Sequence, residues 1–406
     1  MTAASRERRR LLLITHRPLE FGGPGSVRWR FLIGALEGHG WETKVVSART
    51  NPTQDALAES PGAARLAQLR AQAMGGVGRV SRRGFNALGV QPEALAPQLV
   101  WTVTGRRAIR ARLDADRPHA VVATVPPVAA MFAAAGLLGP KDPPLVVDMR
   151  DNWAGHPSYD AGGSTLTKLE GRALAKAEAV VTVTDRMAEL LRRIHPESAA
   201  KVRLMPNGFD PALVERRSAP REAWPEKVTL IHPGVLYGDR RVDELLEALA
   251  RPSLAGRVRL ELVGNLTGET ERALAAAPPG VEVETVPPQS WDATMDRVAA
   301  ADVVAVVYPR SMGDELSLPV KLYEALALGK PVLSITAGGA SEALLRELGQ
   351  DHALARHGDA ASVGDALERL LGGPPPAPVD PARIARFDRA RVAADYAALL
   401  DELAGG

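Results

Sequence analysis

The run Ser317-Leu318-Pro319-Val320-Lys321-Leu322-Tyr323-Glu324 sets a cation and a carboxylate three residues apart. On a helix that spacing puts both side chains on one face. There an ionised Glu324 can accept from both hydroxyls of a ribose, which a neutral side chain does less well. An ordinary surface ion pair has the same spacing and is the competing reading. Ile231-His232-Pro233-Gly234-Val235-Leu236-Tyr237-Gly238-Asp239-Arg240-Arg241 joins glycines, which let a phosphate approach the backbone, to Arg240, which can grip phosphate oxygens bidentately. An exposed arginine at a helix start is the plainer alternative. Leu262-Val263-Gly264-Asn265 ends in a turn suited to packing against a flat base.

Two more segments stand earlier in the chain. Val147-Asp148-Met149-Arg150-Asp151-Asn152-Trp153 places charges at the end of an apolar run, where they are expected to face a crevice and not a core. That favours function for Arg150 and Asp151 over a structural ion pair. His156 follows, and a lone loop histidine is more often incidental than catalytic. Glu20-Phe21-Gly22-Gly23-Pro24-Gly25-Ser26 precedes an apolar helical pattern, so Gly22 and Gly23 lie where a helix amino end favours an anion. A plain strand-to-helix turn fits equally. The segment is not GxGxxG, and Ser47-Ala48-Arg49 supplies no acid after the second strand, so the dehydrogenase fingerprint fails twice.

These segments need parallel βαβ units to present them. Short β-branched runs alternate with helical patterns throughout. Candidate strands fall at 11–15, 43–47, 120–124, 145–149, 179–184 and 202–205, and then at 228–232, 259–263, 281–286, 303–308 and 331–335. Two doubly wound α/β sheets follow. The turn Pro206-Asn207-Gly208 opens a charged, proline-containing stretch through Glu226, which is the expected hinge. A helical pattern from Phe387 has no strand after it, and its apolar face can cover either domain. The expected division is residues 1–208 with 387–406 as one domain and 209–386 as the other.

A length of 406 residues suits two domains of about 200 each. With 46% hydrophobic and 24% charged residues the chain reads as globular, and the formal charge of +2 disfavours nucleic acid as a partner. Zero cysteines remove disulfides, thiolate catalysis and thiolate metal sites. The run Leu11 to Ile14 is too short for a signal peptide core and reads as a buried strand. No stretch approaches the roughly 20 apolar residues of a membrane span, so a cytoplasmic location is expected. Residues 51–100 are hard to read. The arginines from Arg79 to Arg112 suggest solvated helix faces first, and peripheral membrane contact or an acceptor surface second.

Taken in order, the glycine loop, "RDNW", "PNGFD", "GVLYGDR" and "LPVKLYEALALGKPVL" resemble GT-B glycosyltransferases of the retaining, nucleotide-sugar-dependent family-4 type across nearly the whole chain. The resemblance implies two Rossmann-like domains facing a central cleft, with the last helix crossing back to the N-terminal domain. It implies that Glu324 binds the nucleotide ribose, that Arg240 with Lys321 neutralises the diphosphate, and that Gly22 and Gly23 lie beneath it. Donor-side residues would further include Gly234, Gly264, Asn265, Ser317 and Leu318, and catalytic ones Arg150, Asp151 and Arg240.

The resemblance implies no metal or other cofactor; consistently, Asp114-Ala115-Asp116 precedes a strand, which is wrong for the acidic pair of GT-A enzymes. The family's two glutamates separated by seven residues are not kept: Leu316 stands at the first position, eight before Glu324, and Glu315 is one place off register. The chain resembles a subset with Pro-x-Lys-x-x-Glu. A histidine common in the wider family would fall near Arg150. Other readings are a nucleotide-sugar 2-epimerase of the same fold, a non-catalytic nucleotide-sugar-binding subunit and, more distantly, a dehydrogenase. The acceptor is open among glycans, lipid-linked sugars and specialised metabolites.

Overall fold

The computed structural model describes residues 8–19, 24–48, 92–154, 164–236, 240–309 and 316–405. Gly22, Gly23, His156 and Glu315, and nearly all of the unread stretch 51–100, lie outside them. The chain divides into two compact units, Met1–Pro206 with Ala393–Gly406, and Asn207–Val392.

In the first unit the described elements run β1 (Arg9–Ile14), α1 (Pro24–Gly38), β2 (Trp41–Val46), α2 (Pro92–Asp116), β3 (Ala120–Val125), α3 (Ala129–Leu137), β4 (Leu145–Met149), α4 (Ser164–Leu174), β5 (Ala179–Thr182), α5 (Asp185–Ile194) and β6 (Val202–Leu204). All strand pairs are parallel and the order is β2-β1-β3-β4-β5-β6, so the chain reverses direction across the sheet between β1 and β3. Parallel strands are covered on both faces and therefore read as continuous apolar runs; every residue of β3 and of β4 is buried.

The second unit runs α6 (Ala212–Glu215), β7 (Val228–Pro233), α7 (Asp243–Leu249), β8 (Val258–Val263), α8 (Gly268–Ala275), β9 (Glu282–Val286), α9 (Trp291–Ala300), β10 (Val303–Val307), α10 (Val320–Ala327), β11 (Val332–Thr336), α11 (Ala340–Leu348), β12 (Ala353–Arg356), α12 (Ala360–Leu371), α13 (Pro381–Ile384) and the start of α14 (Arg389–Ala404). Its parallel sheet has the order β12-β11-β10-β7-β8-β9, with the reversal between β7 and β10. This is the Rossmann order. Side chains alternate between two cores: Ile231 packs with Leu322, Tyr323 and Leu345 on one face, and Leu230 with Leu246 and Leu367 on the other.

Strand β12 was not expected. Ala353, Leu354, Ala355 and Arg356 are helix formers, and they are strand here because they pair with Leu333 to Thr336 of β11. The final helix is expected to cross back to the first domain, and its residues from Ala393 pack in the first unit. Tyr396 meets Trp29 edge-on at 5.4 Å, and Asp401 Oδ1 accepts from Arg9 at 2.6 Å and Trp41 Nε1 at 2.9 Å. Among the described residues no helix is long and apolar enough to cross a membrane.

Candidate functional site

Open α/β sheets place ligands beyond the carboxyl ends of their strands, at the point where strand order reverses. In the second unit that point joins the ends of β7 and β10. His232, the fifth residue of β7, is 1% exposed, and its Nδ1 lies 2.9 Å from the carbonyl of Ala305 on β10. Gly234 follows at φ 104° and Gly264, after β8, at φ 136°, both favourable only to glycine. Their backbones nearly touch: a Cβ on Gly264 would sit 3.2 Å from the Gly234 carbonyl carbon. A Cβ on Gly234 would instead sit 3.3 Å from Lys321 Nζ.

Helix α10 supplies Lys321 and Glu324. Pro319 stands at its N-cap, and Gly329, at φ 71°, ends it with Lys330 N–H donating to Ala325 O at 2.9 Å. Arg217 then donates to Ala327 O at 2.7 Å, to Leu326 O at 3.0 Å, which also accepts from the Gly329 N–H, and, beyond the helix, to Val379 O at 2.8 Å. Lys321 is half-buried, and its Nζ lies 3.1 Å from His232 Nε2. Burial first and the nearby charge of Arg240 second push its amine down to about 7, against an opposing pull from Glu324. Burial and the charges of Lys321 and Arg240 hold His232 well below the ordinary imidazole range. Arg240, Lys321 and His232 are thus within electrostatic reach of one another, and Lys321 stands beside Gly234.

Glu324 is 7% exposed, and burial raises its carboxyl pKa, which a hydrogen bond from Trp291 opposes. The Trp291 Nε1–H donates to its Oε1 at 2.8 Å, and Arg389 Nη2 stands 3.6 Å from the same oxygen. Ser290 caps α9 through the Ala293 N–H and so fixes where Trp291 begins that helix. Sequence reasoning left both oxygens of Glu324 available to a ligand; the structure already engages one. Of the remaining donor-side residues, Asn265 is exposed at the end of β8, Ser317 is half-buried, and Leu318 is buried with its carbonyl 3.4 Å from Asn207 Nδ2.

The first unit holds a separate group of charges. Arg150 donates from Nε to Thr124 Oγ1 at 3.3 Å and from Nη2 to Pro126 O at 2.8 Å, while its guanidinium lies directly on Gly25 in the first turn of α1. Burial lowers its pKa, opposed by Asp148 and Asp151. Asp151 is half-buried beside it. Asp148 corrects the expectation that charges after this strand face a crevice. It is fully buried, accepts from Trp29 Nε1 at 2.8 Å and Thr124 Oγ1 at 3.3 Å, and pairs with Arg28 at 3.5 Å. It precedes the strand's last residue, so its side chain enters the packed interior. Further along, the loop after β4 is tied down by Glu170, which accepts from Ala154 N at 2.9 Å and meets His195 at 2.9 Å.

The described arginines of α2 lie at its surface, Arg107 exposed and the others half-buried. Arg110 pairs with Asp142 at 2.8 Å, Arg112 with Asp116 at 2.9 Å, and Arg106 lies against Gly136.

His232, Trp291, Arg389 and Arg217 were not singled out from sequence. One signal was available: His232 is a polar residue inside the apolar run of a buried strand, where such groups need a specific partner. The other three are recognisable only by what they touch.

Comparison with known proteins agrees with these two halves. Residues 22–208 match the model of a glycosyl transferase 4-like domain, and residues 227–372 that of glycosyl transferases group 1. A D-inositol 3-phosphate glycosyltransferase of Stackebrandtia nassauensis is 29% identical over 228 residues, which span 51% of this chain and about half, 49%, of that protein. Among solved structures, a sucrose-phosphate synthase from Thermosynechococcus elongatus aligns at 16% identity with a TM-score of 0.62, covering 98% of this chain and 96% of its own. Anabaena HepE, solved with UDP and glucose, aligns at 15% identity with a TM-score of 0.54, covering 98% and 97%. With a family model on each half and the same fold across the length, the chain belongs to the GT-B glycosyltransferases of the family-4 type.

Proposed function

We propose that this chain moves a glycosyl group from a nucleotide-sugar donor to an acceptor, with residues 209–386 as the donor-binding domain. The observation that carries the reading is Lys321 standing beside the Gly234 backbone, with the charge of Arg240 acting on it, at the strand-order reversal of the second sheet. Two cations beside side-chain-free backbone suit a diphosphate. Glu324, one helical turn beyond Lys321, suits a ribose through its second oxygen, and Asn265, Ser317 and Leu318 complete the donor side. HepE, with UDP in the same fold, makes a uridine nucleotide the first donor class to test.

Breaking the anomeric C–O bond develops positive charge on the sugar and negative charge on the departing diphosphate. Arg240 and Lys321 favour that separation by stabilising the leaving group. In this reading the two cations do the work of a metal, and family membership supports retention of configuration. Residues 1–208 with 387–406 form the acceptor-side domain, with Arg150 and Asp151 at its ligand-bearing sheet edge as the residues that act there; Gly22 and Gly23 are kept as donor-side candidates.

Thermal-shift screening with UDP-, GDP- and dTDP-sugars tests the reading, because a ligand that binds only the native state stabilises it. One of these donors is expected to raise Tm, in EDTA as well as in buffer. Transfer is then assayed on glycan, lipid-linked and specialised-metabolite acceptors and on D-inositol 3-phosphate, the compound named for the relative above. No shift with any donor would refute the proposal.

A further inference from the structure

We propose that His232 is a positioning residue that aims the Lys321 ammonium at the Gly234 backbone, where an anionic diphosphate docks; this rests on the donor reading above. The carbonyl of Ala305 can only accept, so His232 Nδ1, 2.9 Å away, carries the ring proton. Nε2 therefore presents a lone pair, and Lys321 Nζ stands 3.1 Å from it with protons to give. Burial holds the imidazole well below its ordinary range, which favours the neutral ring that can accept.

The consequence is geometric. A lysine carries a point charge on a flexible four-carbon stem, and an ordered position costs rotamer entropy. Engaging one N–H on a ring that is locked to the neighbouring strand fixes the nitrogen beside Gly234 and leaves its other N–H bonds for an anion. Arg240 and Glu324 are the other charged groups acting on Lys321, and Lys321 and Arg240 those acting on His232. An apolar residue at 232 would leave the cation present but unaimed.

The test uses His232→Phe, which keeps the ring and removes the acceptor, and His232→Gln, which restores one near the place of Nε2. Binding of inorganic pyrophosphate, UDP and uridine is measured by calorimetry. Titration of the Lys321 amine is followed by NMR on lysine-labelled protein and assigned with Lys321→Ala. His232→Phe is expected to move the Lys321 titration and to weaken pyrophosphate and UDP by about tenfold while sparing uridine. His232→Gln should return both to within about threefold, and His232→Phe should cost nothing further on a Lys321→Ala background.

An unmoved Lys321 titration, or an undiminished effect of His232→Phe on that background, overturns the proposal. If the unmutated protein binds neither pyrophosphate nor UDP, the donor reading fails and the diphosphate role with it, while a moved titration still shows His232 orienting Lys321. Should His232→Phe not fold, His232→Asn, too short to reach Lys321, is expected to show the same losses.

Discussion

Trp291 and Glu324 are joined by a 2.8 Å hydrogen bond from the indole Nε1–H to Oε1. The carboxylate is buried, so an indole donor holds it in one orientation and directs the other oxygen away from Trp291. Trp291→Phe keeps the ring and removes the donor. It should weaken nucleotide binding by about three- to tenfold, the net worth of one ordinary hydrogen bond of about 1 kcal/mol, since the indole orients the carboxylate and does not itself touch the ligand. Glu324→Ala should abolish the ligand-induced thermal shift; an unchanged shift would remove Glu324 from the site.

Lys321 makes binding depend on pH. Its amine sits at about 7 in the free protein, so it is partly deprotonated just above neutrality. A bound diphosphate favours the ammonium and raises that value, so binding takes up a proton and affinity falls as pH rises above 7. Calorimetry in buffers of different ionisation enthalpy at pH 8 should show net proton uptake, which Lys321→Ala eliminates. Without ligand the unfolded lysine keeps its proton to about 10.4, so native stability rises with pH between about 7 and that value. No uptake at pH 8 would contradict the depressed amine.

Arg217 connects α10 to the segment before β7. Removing it takes a donor from the carbonyls of Ala327 and Val379, and one of the donors from Leu326 O, which keeps the Gly329 N–H. Arg217→Ala should cost about 2 kcal/mol, or roughly 4–8 °C in Tm. Since α10 carries Lys321 and Glu324, nucleotide affinity should fall in parallel. A melt within 1 °C of the unmutated protein, roughly 0.5 kcal/mol or less, would show that water replaces the guanidinium at no cost.

Gly25 and Arg150 share one space. A side chain at residue 25 would enter the volume of the Arg150 guanidinium. Gly25→Ala should therefore displace Arg150 and reduce transfer to about the level of Arg150→Ala, with the double variant no worse than either single one. Additive losses would separate the two residues.

Much of this architecture is written locally. Runs such as Leu145 to Met149 are continuously apolar because parallel strands bury both faces, so their positions were legible to within a residue or two. Pro319 and Gly329 bracket α10 in the sequence itself, and the three-residue spacing of Lys321 and Glu324 sets them on one face of it.

Partners were decided elsewhere. Ala353 to Arg356 carry no strand signal and become strand only because β11 offers an unpaired edge. Asp148 and Arg150, two residues apart, have opposite fates: one is sealed into an ion pair with Arg28, the other rests on Gly25. His232 finds Lys321 across 89 residues, and Glu324 finds Trp291 across 33. Periodicity reports which face a side chain takes, since burial is a property of the local pattern. What waits on that face depends on which strands and helices the fold brings alongside, and a one-dimensional pattern holds no record of that.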